Sequence, residues 1–239
     1  MNEPLLLAGI CLAASLSGAF GLAFPLVAGP LFLLEYEPSK ALLLTASCTL
    51  LSNLLSAAIL HQTIKYELRW TLLAPVLIGV PIGTELLTRL ANASGLRVGF
   101  GLLLIATASF CLLPWRFVVK GEHRALETIV GIFSGVIGGM FAAPVALPAI
   151  WLNLRGVRKL EIRAILQPLI IFSQVEIIAV MGITASIDAA AAQSVLLYVP
   201  SLVAEVILGI VAFNRISNEA FGKAVNVLVV ITGFAILIR

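Results

Sequence analysis

The most restrictive feature of this sequence is a long uncharged apolar stretch, residues 5–34, that glycines and prolines interrupt near its middle. A similar interrupted stretch, residues 129–154, opens the second half of the chain. The first stretch is longer than the ~20 residues with which one helix crosses a ~30 Å hydrocarbon core, and too short for two full crossings. In a bilayer, interrupted helical backbone is tolerated mainly where it lines a cavity or a water path. Paired interruptions of this kind are typical of the binding site of a membrane transporter.

The composition is that of a membrane protein. Of the 239 residues, 61% are hydrophobic and only 11% are charged, far from the balance of a soluble domain. Besides the two interrupted stretches, apolar segments cover residues 41–60, 70–90, 96–118, 163–183, 189–212 and 220–238. The sequence therefore predicts an all-α polytopic protein whose main partner is the lipid bilayer. No Lys or Arg precedes the first apolar stretch, so we expect no secretory signal peptide.

Metal, cofactor and enzyme motifs are absent from the sequence. The three cysteines, Cys11, Cys48 and Cys111, lie in apolar segments of the first half, without a CxxC motif or a nearby histidine at metal-ligand spacing. No zinc-protease, nucleophile-elbow, P-loop or dinucleotide-binding motif occurs. We therefore predict no metal, no cofactor and no enzymatic activity. An intramembrane enzyme or redox carrier acting on a lipid-linked or thiol substrate stays open as the alternative.

The two halves of the chain match each other in order, which indicates a duplication. Gly18 pairs with Gly139, and Pro25 pairs with Pro144 at a similar offset. The predicted units are a first repeat at residues 1–118, a linker at 119–125 and a second repeat at 126–239. Whether the protein forms a homo-oligomer is left open.

The positions of the basic residues test how the repeats are oriented, because cytoplasmic loops are enriched in Lys and Arg. If each interrupted stretch enters the membrane and returns as a hairpin, eleven of the 15 basic residues share one face. These are Lys65, Arg69, Arg116, Lys120, Arg124, Arg155, Arg158, Lys159, Arg163, Arg215 and Lys223. The remaining four are Lys40, Arg89, Arg97 and Arg239. We therefore predict two inverted repeats, each a broken, re-entrant hairpin followed by three transmembrane helices, with a cytoplasmic linker and both termini extracytoplasmic.

The same distribution explains the net charge of +3 as an orientation signal rather than a surface for nucleic acid, because the basic residues lie between apolar segments. Near the end of segment 70–90, Glu85 and Arg89 stand four residues apart and are expected to form a local ion pair.

Polar side chains recur within the predicted membrane interior. In segment 41–60, hydroxyl side chains at helical spacing form one stripe, with Asn53 beside it: Thr45, Thr49, Ser52 and Ser56. In segment 163–183, Arg163, Gln167 and Gln174 form the corresponding stripe. Packing between helices is the alternative reading of the hydroxyls. Thr49, Asn53, Gln167 and Gln174 are the predicted substrate ligands.

Two acidic residues within apolar segments are candidates for proton coupling. Glu176 follows the glutamine stripe, and Glu205 lies within segment 189–212. A carboxylate at mid-membrane costs on the order of 2.5–3.5 kcal/mol on insertion scales, so it is retained mainly for a function.

The hairpins offer a further chemistry, because a helix that restarts after a break presents unpaired N–H groups and partial positive charge. Two such helix ends at mid-membrane form an anion site without a buried basic side chain. Both interrupted stretches are uncharged, which suits a small anion held by backbone amides. The residues predicted to form this site are Gly18, Gly21, Pro25, Gly138, Gly139 and Pro144. Kinking and packing of helices is the alternative role of these glycines and prolines.

Several of these features together resemble the TauE/SafE sulfite exporter family of membrane permeases. The resemblance is carried by Gly18 to Pro30, Gly135 to Pro148, the run Ala41, Thr45 and Ser47, and Trp70 leading into Gly79 and Gly83. It implies secondary transport of small anions, such as sulfite or organosulfonates, across the bacterial cytoplasmic (inner) membrane. The site then lies between the two hairpins and is exposed by alternating access.

Overall fold

A computed structural model describes residues 24–60, 66–89, 93–112, 119, 121 and 123–184, and beyond them 195, 198–200, 202–203 and 206–207. All regular structure in these residues is helical. The helices with defined bounds are α1 (Phe24–Glu35), α2 (Pro38–Leu60), α3 (Trp70–Arg89), α4 (Ala93–Leu112), α5 (Arg124–Phe141), α6 (Ala146–Leu154) and α7 (Lys159–Thr184).

Four helices of the described part, α2, α3, α5 and α7, are long and apolar enough to cross a membrane. Their outer faces carry large apolar side chains, such as Ile78, Phe133 and Ile183, which are all more than half exposed. Such faces are stable against lipid and costly against water. The chain is therefore a multi-pass membrane protein, as its composition predicts.

The second interrupted stretch folds back on itself, as predicted. The α5 helix ends at Phe141. The next residue, Ala142, has a left-handed φ of 55° that turns the chain, and its N–H donates to the Gly138 oxygen (2.7 Å). The Ser134 hydroxyl then donates to the Pro144 oxygen, and further along Trp151 Nε1 donates to Glu127 Oε1 (3.3 Å). These contacts make α6 antiparallel to α5.

The two arms of this hairpin differ in length. The α5 helix has 18 residues and α6 has 9, which correspond to about 27 Å and about 14 Å. Because Pro144 lies beside Ser134, α6 starts roughly half-way along α5. The short arm cannot cross a hydrocarbon core of ~30 Å by itself. Residues 5–23, the first part of the other interrupted stretch, lie outside the described residues.

The helices α3 and α5 run parallel and in backbone contact. A Cβ atom on Gly79 would lie 2.3 Å from the Ile132 oxygen, and one on Gly139 would lie 2.2 Å from the Val80 oxygen. The residue numbers of the contacting pairs increase together along the two helices, so the helices point the same way. Association in lipid lacks a strong hydrophobic drive, so small residues that allow close approach stabilise such pairs.

The helices α2 and α7 run antiparallel. Gln167 Nε2 donates to the Asn53 backbone oxygen (3.1 Å), and after the end of α2 the Glu67 N–H donates to the Ala164 oxygen (3.1 Å). The α2 helix also packs against α1, whose Phe32 ring contacts that of Tyr198 edge-on, with centroids 5.6 Å apart.

The helices α3, α5 and α7 begin at the same end of the molecule, the basal end. Arg69, just before α3, bonds Glu127 in the first turns of α5 (2.8 Å). The described basic residues of the larger predicted set lie at or near this end: Arg69, Arg124, Arg155, Arg158, Lys159 and Arg163. Arg89 lies at the opposite end of α3 and pairs with Glu85 (2.7 Å), which confirms the predicted ion pair.

Candidate functional site

The predicted polar stripe of α2 faces the interior of the helix assembly. Its four hydroxyl residues, Thr45, Thr49, Ser52 and Ser56, are at most 2% exposed. Thr45 and Thr49 donate their hydroxyl hydrogens to backbone oxygens four residues earlier, at 2.7 and 2.6 Å. In this state Thr49 therefore offers a ligand its oxygen lone pairs and not its hydrogen.

Asn53, Gln167 and Arg163 form one continuous polar contact between α2 and α7. Asn53 Nδ2 donates to the Thr49 oxygen (2.9 Å), while Asn53 Oδ1 is buried without a hydrogen-bond partner. Gln167 donates to the Asn53 backbone, and Arg163 Nε approaches Gln167 Oε1 at 3.5 Å. Arg163 itself is only 7% exposed, so a guanidinium group lies close to the predicted amide ligands.

Gln174 connects α7 to the interruption of the hairpin. Its Nε2 donates to the Ala142 oxygen (2.9 Å), the carbonyl of the left-handed residue that ends α5. Its Oε1 is buried without a partner in the structure. Gln174 and Gln167 are seven residues apart on one face of α7, about 10 Å along the axis. The predicted glutamine stripe thus extends from the hairpin interruption to Asn53.

The interruption itself brings two predicted site residues, Gly138 and Pro144, into contact. A Cβ atom on Gly138 would lie 2.7 Å from Pro144 Cβ, so the tight return of the chain requires glycine there. Gly139 faces the other way, against the α3 backbone, and close helix packing accounts for its lack of a side chain. No side chain caps the start of α6, where helical N–H groups carry partial positive charge.

The other predicted residues are placed as follows. Pro25 is buried in the first turn of α1. Glu176 is partly buried in α7, and its Oε2 is shielded from solvent without a hydrogen-bond partner. Gly18, Gly21 and Glu205 lie outside the described residues.

Tyr66 is a potential ligand that the sequence did not single out. Its hydroxyl is buried without a hydrogen-bond partner, and burial raises its pKa while the nearby Arg163 opposes that shift. The hydroxyl keeps its hydrogen at neutral pH and can donate it. Beside Tyr66 and Gln167 lies a cavity of about 290 Å³ with otherwise apolar walls. Tyr66 lies between the apolar segments, where helical spacing does not predict which side chains are buried. Arg163, in contrast, belongs to the stripe that the sequence predicts in segment 163–183.

Among the residues that the structure describes, no group of three or more His, Cys, Asp or Glu side chains is placed to hold a metal ion. Cys48 is fully buried within α2.

Comparison with known proteins gives one match. The family model described as sulfite exporter TauE/SafE matches residues 5–236, nearly the whole chain. No curated protein and no solved structure matches the chain significantly.

Proposed function

The chain belongs to the sulfite exporter TauE/SafE family, and from that premise we propose that it carries a small sulfur-containing anion, sulfite or an organosulfonate, across the bacterial inner membrane. The family is one of membrane transporters. Substrate, site and mechanism are proposed on the geometry that follows.

The observation that carries the proposed site is the hydrogen bond from Gln174 to the Ala142 oxygen. It joins the polar stripe of α7 to the interruption of the hairpin, the two features that the sequence marks independently. We place the anion beside this junction, near the first amides of α6 and the turn from Gly138 to Pro144. Backbone amides bind oxyanions without the desolvation cost of a buried basic side chain.

Asn53, Thr49 and Gln167 form the second wall of the proposed site, on the α2 side. Asn53 and Gln167 each keep a second amide hydrogen to donate to an oxyanion, Thr49 can accept a hydrogen bond from a protonated one, and the buried Arg163 beside Gln167 supplies positive charge. A charged donor makes such hydrogen bonds about twice as strong as neutral ones.

The proposed transport cycle is alternating access between two inverted repeats, residues 1–118 and 126–239, joined by a cytoplasmic linker at 119–125. Most of the described arginines lie at the basal end, whereas Arg89 lies at the far end of α3. This distribution supports a cytoplasmic basal end and extracytoplasmic termini. In this proposal Gly139 and Pro25 border the region between the two hairpins, and the predicted site residues Gly18 and Gly21, which lie outside the described residues, belong to the first hairpin.

We also propose that Glu176 couples transport to protons, with Glu205 as a second candidate. The support is that Glu176 Oε2 is shielded and makes no hydrogen bond in the structure. A protonated carboxyl is far easier to hold in that position than a carboxylate.

Flux into proteoliposomes tests the proposed function. Vesicles with the purified protein should take up or release sulfite or a small sulfonate faster than empty vesicles. Fluxes equal to those of empty vesicles for every such anion would contradict transport of this substrate class.

A matched pair of variants then tests the site. Asn53→Asp places a carboxylate in the proposed site and should reduce flux at least about tenfold through like-charge repulsion. Asn153→Asp is the control, because exposed Asn153 makes the same bond to the backbone four residues earlier (2.9 Å). Equal fluxes in both variants, at equal protein yield, would remove Asn53 from the site.

A further inference from the structure

Polar atoms that have no hydrogen-bond partner among the described residues recur along the contact between α2 and α7. They are Asn53 Oδ1 and Ser56 Oγ on α2, and Gln174 Oε1 on α7. Each of these three residues is at most 1% exposed. Burying a polar atom without a partner costs the free energy of its lost hydration, so such atoms are rare in folded proteins and need a physical explanation.

Helix packing alone does not account for Ser56. On the same stripe, Thr45 and Thr49 each donate to the backbone oxygen four residues earlier, as a hydroxyl in an apolar helix commonly does. The Ser52 oxygen stands at the same spacing from Ser56, yet the Ser56 hydroxyl bonds no group in the described part of the chain. Its hydrogen and its lone pairs are therefore available to a ligand or to water.

The contact between α2 and α7 ends near the basal end in a cavity of about 290 Å³. Ala57, which follows Ser56, lines this cavity together with Gln167 and Tyr66. The Tyr66 hydroxyl is another buried group without a partner among the described residues. Leu68, also in the lining, is 46% exposed, so the cavity is reached from the surface. One water molecule needs only roughly 10–15 Å³ of such space, so the cavity has room for several.

These polar groups are arranged in order between the basal end and the hairpin. Tyr66 and Ser56 come first. Asn53 lies about 5 Å further along α2, where its backbone oxygen accepts a hydrogen from Gln167 Nε2 (3.1 Å). Gln174 lies about 10 Å beyond Gln167 along α7, at the hairpin interruption. This series, Tyr66, Ser56, Asn53, Gln167 and Gln174, is the polar seam.

We propose that the polar seam is the passage through which the anion and its water move between the basal end and the transport site, and that Tyr66 is the first ligand at its mouth. The proposal rests on the proposed function, because it names the route to the same site. When α2 and α7 separate, the buried groups of the seam gain the partners that the closed contact does not provide. The phenol hydroxyl of Tyr66 and the carboxamides donate to the oxyanion, and hydrogen bonds to a charged acceptor are the stronger ones.

Thiol labelling tests the passage and does not require transport. Single cysteines are introduced into the full chain after Cys11, Cys48 and Cys111 are replaced: Ser56→Cys within the seam and Ala57→Cys in the cavity. The reagent is sulfonatoethyl methanethiosulfonate, which is anionic and does not cross membranes. Both thiols should react at least about tenfold faster than Thr84→Cys, because a thiol reacts only in conformations that expose it.

Thr84 is the matched control because it is as buried as Ser56, at 1% exposed, and lies on α3, outside the seam. Its hydroxyl donates to the Pro81 oxygen (2.9 Å). Two exposed positions mark the sides of the membrane, Arg158→Cys at the basal end and Thr88→Cys at the far end of α3. Ser56→Cys should react from the side that labels Arg158→Cys.

A competing anion tests whether the passage admits the proposed substrate class. Methanesulfonate should slow the labelling of Ser56→Cys in a saturable manner, relative to chloride at equal ionic strength. Sulfite is unsuitable for this measurement, because it cleaves the mixed disulfide that the reagent forms with the thiol.

Tyr66→Phe tests the ligand at the mouth, since it removes the hydroxyl and keeps the ring. The methanesulfonate concentration that gives half-protection of Ser56→Cys should rise about tenfold, because a hydrogen bond to a charged group is worth a decade or more of affinity. Tyr36→Phe is the matched control, because Tyr36 lies just before α2, at the opposite end of that helix from Tyr66. It should leave the half-protecting concentration unchanged.

The passage would be overturned if Ser56→Cys and Ala57→Cys reacted no faster than Thr84→Cys, or only from the side that labels Thr88→Cys. Labelling that methanesulfonate does not slow, or protection that Tyr66→Phe does not weaken, would also contradict it. Thermal unfolding of every variant, compared with the cysteine-free parent, shows that the labelled thiol belongs to folded protein. A transporting protein without basal labelling would contradict the passage alone, and a labelled, protected protein without flux would contradict the proposed function alone.

Discussion

The Cβ atom that Gly135 lacks would lie 2.1 Å from the backbone carbonyl oxygen of Val76. This contact belongs to a row of glycines through which α5 and α3 approach each other closely along much of their length. No side chain separates the two backbones there, so the pair forms one rigid unit. The long arm of the hairpin is therefore positioned by α3, and the interruption at Ala142 is held at a fixed height beside α7.

Gly135→Ala should destabilise the protein through this contact. The obstructing atom belongs to the backbone and cannot rotate away, so α3 and α5 must separate. Overpacking of this kind typically costs about 1–3 kcal/mol. The expected result is a lower Tm in detergent and a reduced yield of monodisperse protein.

Gly95→Ala is the control for that substitution, because the added Cβ meets nothing within 4 Å. Alanine favours the helix over glycine by about 1 kcal/mol, so this variant should be neutral or slightly stabilising. If Gly135→Ala proved as stable as Gly95→Ala, the tight α3–α5 contact would be contradicted.

Ser134→Ala should loosen the return of the hairpin. The Ser134 hydroxyl is the donor to the Pro144 oxygen, and without it a buried carbonyl loses a partner at a cost of about 1–3 kcal/mol. Flux should fall together with thermal stability, because the turn borders the proposed site. Thr128→Ala, which removes an exposed hydroxyl that bonds the Arg124 oxygen (3.0 Å), should change neither.

Glu176→Gln tests proton coupling by itself. Glutamine preserves the size and polarity of the side chain but cannot release a proton, so flux should persist while its response to an imposed pH gradient disappears. Glu85→Gln, which affects an exposed ion pair, should keep the response of the parent protein. An unchanged pH response in Glu176→Gln would assign coupling to another group, with Glu205 next to be replaced.

A cysteine-free variant distinguishes transport from redox chemistry. Replacing Cys11, Cys48 and Cys111 by alanine or serine should leave anion flux within about twofold of the parent, because the proposed site uses amide and guanidinium groups. Loss of function with preserved folding and yield would instead favour a carrier of reducing equivalents.

The outline of the fold was predictable from local patterns. Composition and segment length identify a polytopic helical protein, and the interrupted stretch 129–154 predicts the return that the Ser134 and Trp151 contacts confirm. The burial of the polar stripes that contain Asn53 and Gln174 was predictable for a similar reason. Polar residues in an apolar helix must turn to the protein interior, so their helical spacing alone marks the buried face.

The partners of those residues were decided by the tertiary structure. Nothing local indicates that Gln174 bonds Ala142 or that Arg69 bonds Glu127, since each pair lies far apart in the chain. The sequence by itself determined which residues would be buried in a membrane, because that depends on local hydrophobicity. Only the tertiary structure decided that Gly139 faces α3 while Gly138 accommodates Pro144, because a uniformly apolar helix does not encode which face meets which neighbour.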